Sequence, residues 1–214
     1  LDGRRTRWGV LFRTDALDLL PPASQDRLLA RGLRCVIDLR WPDELASWPS
    51  VFAGDPRVRY ESIPLLADDP TPHLGLAGMY RHVLDERGEQ LAGVVRTIVE
   101  PGGLPAVIGC AAGKDRTGVT IALLLAIAGV PADLIVADYA LTFDAFADQV
   151  HGDAHLSDWR SVPLELECPP AYMEVLLDHL ETRHGGPARL LRRHGIDAAT
   201  LERVRELLTE PAGV

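Results

Sequence analysis

Between residues 104 and 128, three patterns follow one another without a break. Leu104-Pro105-Ala106-Val107-Ile108 is a short apolar strand. Gly109-Cys110-Ala111-Ala112-Gly113-Lys114-Asp115-Arg116-Thr117-Gly118 is a turn of small and charged residues. Residues 119–128 then form a helix that is apolar on every side, a pattern stable only when buried. A buried helix leaving the end of a buried strand needs a sheet to lie against, so this one segment already argues for an α/β architecture.

The remainder of the chain agrees. Residues 8–12 read as a strand. Residues 23–30 read as a helix behind Pro21-Pro22, with Gly32 as its C′ residue. Residues 33–39 are a β-branched run suited to a buried strand, and residues 58–63 alternate as another. The stretch 65–78 holds Asp68-Asp69-Pro70 and Pro72 and reads as a loop. Helical patterns follow at 79–84 and 90–99. Beyond the glycine-rich turn the pattern is almost entirely helical, at 132–141, 171–183, 188–193 and 198–208, with Asp197 as an N-cap. Residues 143–170 carry no clear period. The expected fold is α/β: a small, largely parallel sheet flanked by helices, with a helical C-terminal part. No repeat or linker divides the chain, so one domain is expected over residues 1–214.

Charge narrows the partners. The chain carries 22 basic and 31 acidic residues, a formal net charge of −9. That argues against nucleic acid or an anionic membrane as a partner. An anionic substrate would need a local positive pocket in an acidic surface. The three cysteines, Cys35, Cys110 and Cys168, form neither a disulfide framework nor a zinc spacing. A reducing, cytoplasmic setting is expected. Leu1-Asp2-Gly3-Arg4-Arg5 has no apolar h-region, so no signal peptide is expected. The longest apolar run, 119–130, ends at Pro131 and is too short to span a bilayer.

The turn carries the chemistry. Cys110 and Arg116 bracket five residues between a strand and a helix N-terminus. Such a turn aims several backbone N–H groups at one point, and with the helix dipole they form an anion cradle. Arg116 can close the cradle with a bidentate grip on two phosphate oxygens. Cys110 lies at its base, where the same donors favour a thiolate, an in-line nucleophile for bound phosphorus. Gly113 supplies a positive φ or a close backbone approach. A nucleotide-binding P-loop is excluded: Gly109 and Gly113 are too close, and Asp115 stands where Ser or Thr is required.

Cys110 through Gly118 resembles the signature of the cysteine-dependent protein tyrosine phosphatases. The form Ala112-Gly113-Lys114-Asp115-Arg116-Thr117-Gly118 is similar to the bacterial and fungal tyrosine/serine, or triple-specificity, branch. Leu11-Phe12-Arg13-Thr14-Asp15-Ala16-Leu17 resembles that branch's early Leu-Phe-Arg-Ser stretch. Val36-Ile37-Asp38-Leu39-Arg40, with Glu44 after it, resembles its Asp-Leu-Arg strand end. Ile135-Val136-Ala137-Asp138-Tyr139-Ala140-Leu141 and His194-Gly195-Ile196-Asp197 resemble its later helices, so the likeness covers nearly the whole chain.

The resemblance implies a protein-tyrosine-phosphatase-like fold and hydrolysis of phosphoric monoesters through a cysteinyl-phosphate. It implies Cys110 as nucleophile and Arg116 as phosphate ligand. Ala111, Ala112, Gly113, Lys114, Thr117 and Gly118 would bind substrate, with no metal or cofactor. Phosphotyrosine is the implied substrate, with phosphoserine, phosphothreonine or a phosphoinositide as further classes. Three acids compete to protonate the leaving oxygen. The resemblance favours Asp115. Asp68 or Asp69 comes second. Asp43 of Trp41-Pro42-Asp43 comes third, because it lies 67 residues before Cys110 (110 − 43). One departure stands out. The family's usual His before the cysteine is Gly109 here, which sets a second reading beside the first: a phosphate-binding module with weak or no turnover. A rhodanese-type sulfur-transfer enzyme is the third, disfavoured by Arg116-Thr117-Gly118.

Overall fold

The computed structural model describes residues 3–66, 71–152 and 169–212. In chain order the elements are β1 (Arg4–Thr6), β2 (Leu11–Thr14), α1 (Pro22–Ala30), β3 (Cys35–Asp38), α2 (Pro42–Ser47), β4 (Arg59–Ser62), α3 (Thr71–Glu86), α4 (Gly88–Val99), β5 (Ala106–Gly109), α5 (Asp115–Ile127), α6 (Ala132–Gly152), α7 (Pro170–His184), α8 (Pro187–Arg192), α9 (Ala198–Leu208) and β6 (Thr209–Pro211). Four strands form a parallel sheet in the order β2-β5-β3-β4. All residues of β3 and β5 are buried, as expected of strands covered on both faces.

Both faces carry apolar packing. Cys35, Ile37, Ala106 and Ile108 face the larger core, which takes in apolar residues of α3, α4, α5, α7, α8 and α9. Val36 and Val107 alternate to the other face and join Leu17, Leu33, Phe52 and Val58, with Leu28 and Leu29 of α1 against them. Cys35 lies fully buried in the larger core, and burial pushes its thiol up to about 11, so it is inert at neutral pH.

The parallel register decides where chemistry can occur. Thr14 pairs with Gly109, and Asp38 pairs with both Gly109 and Ser62. The carboxyl ends of all four strands therefore meet at one edge, the usual ligand side of such sheets. The loops leaving Thr14, Asp38 and Gly109 gather there. Leu39 N–H donates to Gly109 O at 2.8 Å and Ala16 N–H to Ala111 O at 3.0 Å.

Several expected elements shift. The strand expected at 8–12 is instead Leu11–Thr14, and Trp8 is 97% exposed in the turn before it. Arg13 and Thr14 extend the strand because their backbones pair with Ile108 and Gly109. A second, antiparallel pair joins Arg4–Thr6 to Thr209–Pro211; neither short polar run carries a period to read. The loop expected over 65–78 gives way to α3 at Thr71. The helix is kinked at Gly75 (φ 65°), a left-handed conformation that glycine tolerates. Asp68 and Asp69 lie outside the described residues, as do Cys168 and Trp159. Helix α6 runs eleven residues beyond the expected end at 141, to Gly152. Asp197 caps α9 as expected, accepting from Thr200 N–H at 2.7 Å. Among the described residues no helix is long and apolar enough to cross a membrane.

Candidate active site

Residues 110–114 turn from the end of β5 into α5, whose first residue is Asp115. Gly113 has φ +67°, and a Cβ there would lie 2.6 Å from Thr14 O and 2.8 Å from Asp15 N. Only glycine fits, because the turn is pressed against the end of β2. Arg13 holds the same turn from outside. Its Nη1 donates to Asp138 Oδ2 at 2.8 Å and its Nη2 to Thr142 Oγ1 at 2.8 Å, with Gly113 O at 3.5 Å. Among the described residues, the N–H groups of Ala111, Ala112, Gly113 and the first turn of α5 meet no backbone acceptor. They are the unspent donors of a helix N-terminus. Cys110 lies at the base of the turn, 2% exposed.

Arg116 is buried and locked. Its Nη1 donates to Glu44 Oε2 at 2.6 Å and its Nη2 to Glu44 Oε1 at 2.8 Å. Its guanidinium carbon lies 4.5 Å from the centre of the Trp41 ring, a cation–π contact. Burial opposes the charge most strongly, but the Glu44 hydrogen bonds and the negative charges around the guanidinium together outweigh it, so it stays charged. The terminal edge of the fork is thus spent on Glu44. The edge formed by Nε–H and the second Nη2 proton is left to grip an anion.

Glu44 is delivered by a second buried pair. Asp38 ends β3, and Arg40 folds back on it with Nε 2.9 Å from Oδ1 and Nη2 2.7 Å from Oδ2. Tyr60 Oη donates to Asp38 Oδ2 at 2.9 Å, and Arg40 Nη1 donates to Trp48 O at 2.7 Å. This bracket fixes the chain into α2, where Glu44 Oε2 also accepts from Trp41 N–H at 2.9 Å.

Asp115, one residue before Arg116, faces the opposite way. Tyr80 Oη of α3 donates to Asp115 Oδ1 at 2.7 Å, and Lys114 Nζ is 3.7 Å from the same oxygen. Burial pushes the Asp115 carboxyl above the usual carboxylate range; Lys114, the Tyr80 hydrogen bond and Arg116 pull the other way without cancelling it. Lys114 itself is buried. Thr117 is the third residue of α5, not its cap, and its buried Oγ1 has no hydrogen-bond partner among the described residues. Gly118 lies beyond the turn, its N–H bonded to Lys114 O at 2.8 Å. A Cβ at Gly118 would meet the Tyr139 ring at 3.0 Å.

The tyrosine phosphatase family matches residues 1–210. The chain belongs to that family. A tyrosine-protein phosphatase of Nostoc commune is 35% identical over 163 residues, covering 71% of this chain and 53% of the relative. The triple specificity protein phosphatase PtpB of Mycobacterium tuberculosis is 27% identical over a 255-residue alignment, covering 94% of this chain and 91% of the relative. The chain thus spans about half the length of the first relative and nearly all of the second.

Two residues of the site were only partly visible in the sequence. Trp41-Pro42-Asp43 enters there only through Asp43, the third candidate acid. In the fold, Trp41 stacks on Arg116 and Glu44 clasps it, while Asp43 is exposed on α2. The signal was the buried acid spacing after Asp38-Leu39-Arg40. Gly109 also gains a reason. A Cβ there would meet Thr14 Cγ2 at 2.7 Å and the carbonyls of Thr14 and Asp15 at 3.1 Å.

Away from the turn, Asp85, His179 and His184 bring three metal-ligating atoms within 4.8 Å. Asp85 Oδ1 lies 2.9 Å from His179 Nε2 and 2.8 Å from His184 Nε2, and Arg193 Nη2 lies 2.5 Å from His184 Nδ1. An arginine only donates, so Nδ1 accepts and Nε2 carries the proton. A metal at Nε2 would demand the reverse. The cluster is a hydrogen-bonded tie between α3, α7 and the end of α8.

Proposed function

We propose that the chain hydrolyses phosphoric monoesters through a cysteinyl-phosphate, with phosphotyrosine as the substrate class. The observation that carries this reading is the Arg116 guanidinium, held charged by Glu44 under Trp41 at the mouth of a turn of unspent amides with Cys110 at its base. The Cys110 sulfur attacks phosphorus in line as the ester P–O bond breaks. Arg116 and the turn amides hold the three equatorial oxygens and stabilise their developing charge. The Asp115 proton passes to the leaving oxygen. Water then attacks phosphorus, its proton returns to Asp115, and the S–P bond breaks to release phosphate. Thr117 Oγ1–H donates to the departing sulfur. The buried Lys114 adds positive charge beside the turn, which suits a doubly phosphorylated or inositol substrate as well. A reducing, cytoplasmic compartment keeps Cys110 a thiol.

The test is hydrolysis of p-nitrophenyl phosphate by the native protein and Cys110→Ser, side by side and without added metal. Turnover in the native protein, lost in the variant and blocked by vanadate, supports the reading. Phosphate or vanadate binding with no native turnover between pH 5 and 8 overturns it in favour of a phosphate-binding module. Thiosulfate turnover overturns it in favour of sulfur transfer.

A further inference from the structure

Three of the chain's four tyrosines meet beside the cradle, each from a different helix. Tyr80 of α3 packs edge-on against Tyr139 of α6, with ring centres 6.2 Å apart, and against Tyr172 of α7 at 6.3 Å. Tyr80 is 0% exposed and Tyr139 is 1% exposed. Their hydroxyls lie 2.7 Å apart, and the Tyr80 hydroxyl lies 2.7 Å from Asp115 Oδ1. Three oxygens on α5, α3 and α6 thus form a short chain of direct contacts.

With Asp115 ionised, the proton count in this chain has one solution. A phenol has one proton to give. Tyr80 gives its proton to Asp115, so between the two tyrosines Tyr139 donates and Tyr80 accepts. Burial holds the Tyr80 proton on the phenol. A proton arriving on Asp115 Oδ1 would face the Tyr80 proton across 2.7 Å. It could stay there only if both phenols reversed. The other oxygen, Oδ2, meets no such donor among the described residues.

We propose that Tyr80 is a positioning residue for the general acid: by donating to Asp115 Oδ1, held in that orientation by Tyr139, it directs the transferable proton to Oδ2. This rests on the reading of Asp115 as the acid. The groups that face Asp115 are Tyr80 from α3, Lys114 at the start of its own helix, and Arg116 next in sequence. Tyr80 makes the short, directed hydrogen bond at 2.7 Å, whereas Lys114 Nζ stands 3.7 Å from the same oxygen.

The experiment compares the native chain with Tyr80→Phe, Tyr139→Phe and Asp115→Asn on phenyl phosphate and p-nitrophenyl phosphate, across pH. Each variant's fold is checked by a thermal melt. Tyr80→Phe should lower kcat on phenyl phosphate about tenfold, a part of the 10²–10⁴ that a positioned acid supplies. The p-nitrophenyl rate should change less than about twofold, because that leaving group needs little protonation. The alkaline limb of the kcat profile should move to higher pH, since a donor that favours the carboxylate is gone. Tyr139→Phe should do the same to a smaller extent. A purely structural tyrosine would lower both substrates equally and leave the limb in place, and that result overturns the proposal. If Tyr80→Phe does not fold, Tyr139→Phe gives the same two readouts and decides. Asp115→Asn separates the two readings. A native leaving-group dependence in that variant removes Asp115 as the acid, whereas a steepened one with native behaviour in both tyrosine variants removes the relay alone.

Discussion

Asp115 and Arg116 are neighbours in the first turn of one helix, yet their surroundings solve opposite problems. Arg116 turns toward α2 and meets a carboxylate with two short hydrogen bonds and an aromatic face. Those contacts keep its charge on against burial. Asp115 turns toward α3 and α6, where its directed partner is a phenol and its cation stands 3.7 Å off. There burial wins and the carboxyl is pushed toward its neutral form. On the proposed reading, the group that holds an anion has a full counter-charge, and the group that hands over a proton has a neutral hydrogen bond and partial compensation. Two roles on adjacent residues are therefore separated by which helices flank them, not by anything in the turn itself.

The largest test of that contrast is Asp115→Asn. Phenyl phosphate turnover should fall by roughly 10²–10⁴, the usual worth of a positioned acid, with far less effect on p-nitrophenyl phosphate. The pH sign follows from the direction of the shift. The acid works protonated, so activity is lost as pH rises through its folded value. Because burial raises that value, activity should persist above the range of an ordinary carboxyl, and Asp115→Asn should remove the alkaline limb. An unchanged limb on steady-state kinetics would place the acid elsewhere, with Asp68 and Asp69 next in line.

Glu44→Gln breaks the other side. It leaves Arg116 buried with its charge uncompensated, which costs about 3–5 kcal/mol when one partner of a buried pair is removed. Urea midpoints read this directly. Vanadate affinity should also weaken, about tenfold, as the free edge of the guanidinium loses its fixed direction. Full native stability in this variant would mean that Trp41 and solvent suffice for Arg116, and the contrast with Asp115 would collapse.

Gly109→Ala should cost less, about 1–3 kcal/mol, the range for overpacking a tight site. Its Cβ presses on Thr14 Cγ2 and two carbonyls at once. Gly109→His, the residue the family usually has there, should be no better than alanine in a thermal melt and should not raise turnover. A gain in kcat from His would show that Thr14 can yield, and would revive the reading of Gly109 as the reason for weak activity.

Much of this was legible in the sequence, and the pattern of success is informative. The apolar 119–128 run and the β-branched 33–39 run placed the buried helix and strand because burial on all sides leaves a composition signal. Three of the segments that resemble the family lie apart in sequence but converge on the turn. Arg13 ties it to Asp138, Asp38 and Arg40 deliver Glu44, and Tyr139 abuts Gly118. What stayed hidden was contact between distant polar groups. Nothing in periodicity links Tyr80 to Asp115 across 35 residues, or Glu44 to Arg116 across 72. Short polar strands such as Arg4–Thr6 escaped for the same reason: their partner, not their pattern, makes them strands.

The smallest effect is the most discriminating. A carboxyl whose folded value lies above its unfolded one costs stability once ionised. Below the ordinary carboxylate range Asp115 is protonated in both states and contributes nothing either way. As pH rises from that range through the raised folded value, the native protein should lose stability that Asp115→Asn keeps. The variant should therefore gain about 0.5–2 kcal/mol at pH 7, the usual size of a stabilising change at a functional site. The two proteins should converge near about pH 3, below the reference carboxylate values. Denaturant melts at several pH values give both numbers. A variant less stable than the native protein at pH 7 would mean that Asp115 is held as an anion by Lys114 and Arg116, a structural counter-ion. Glu44 and Asp115 would then be doing the same job on two sides of one helix.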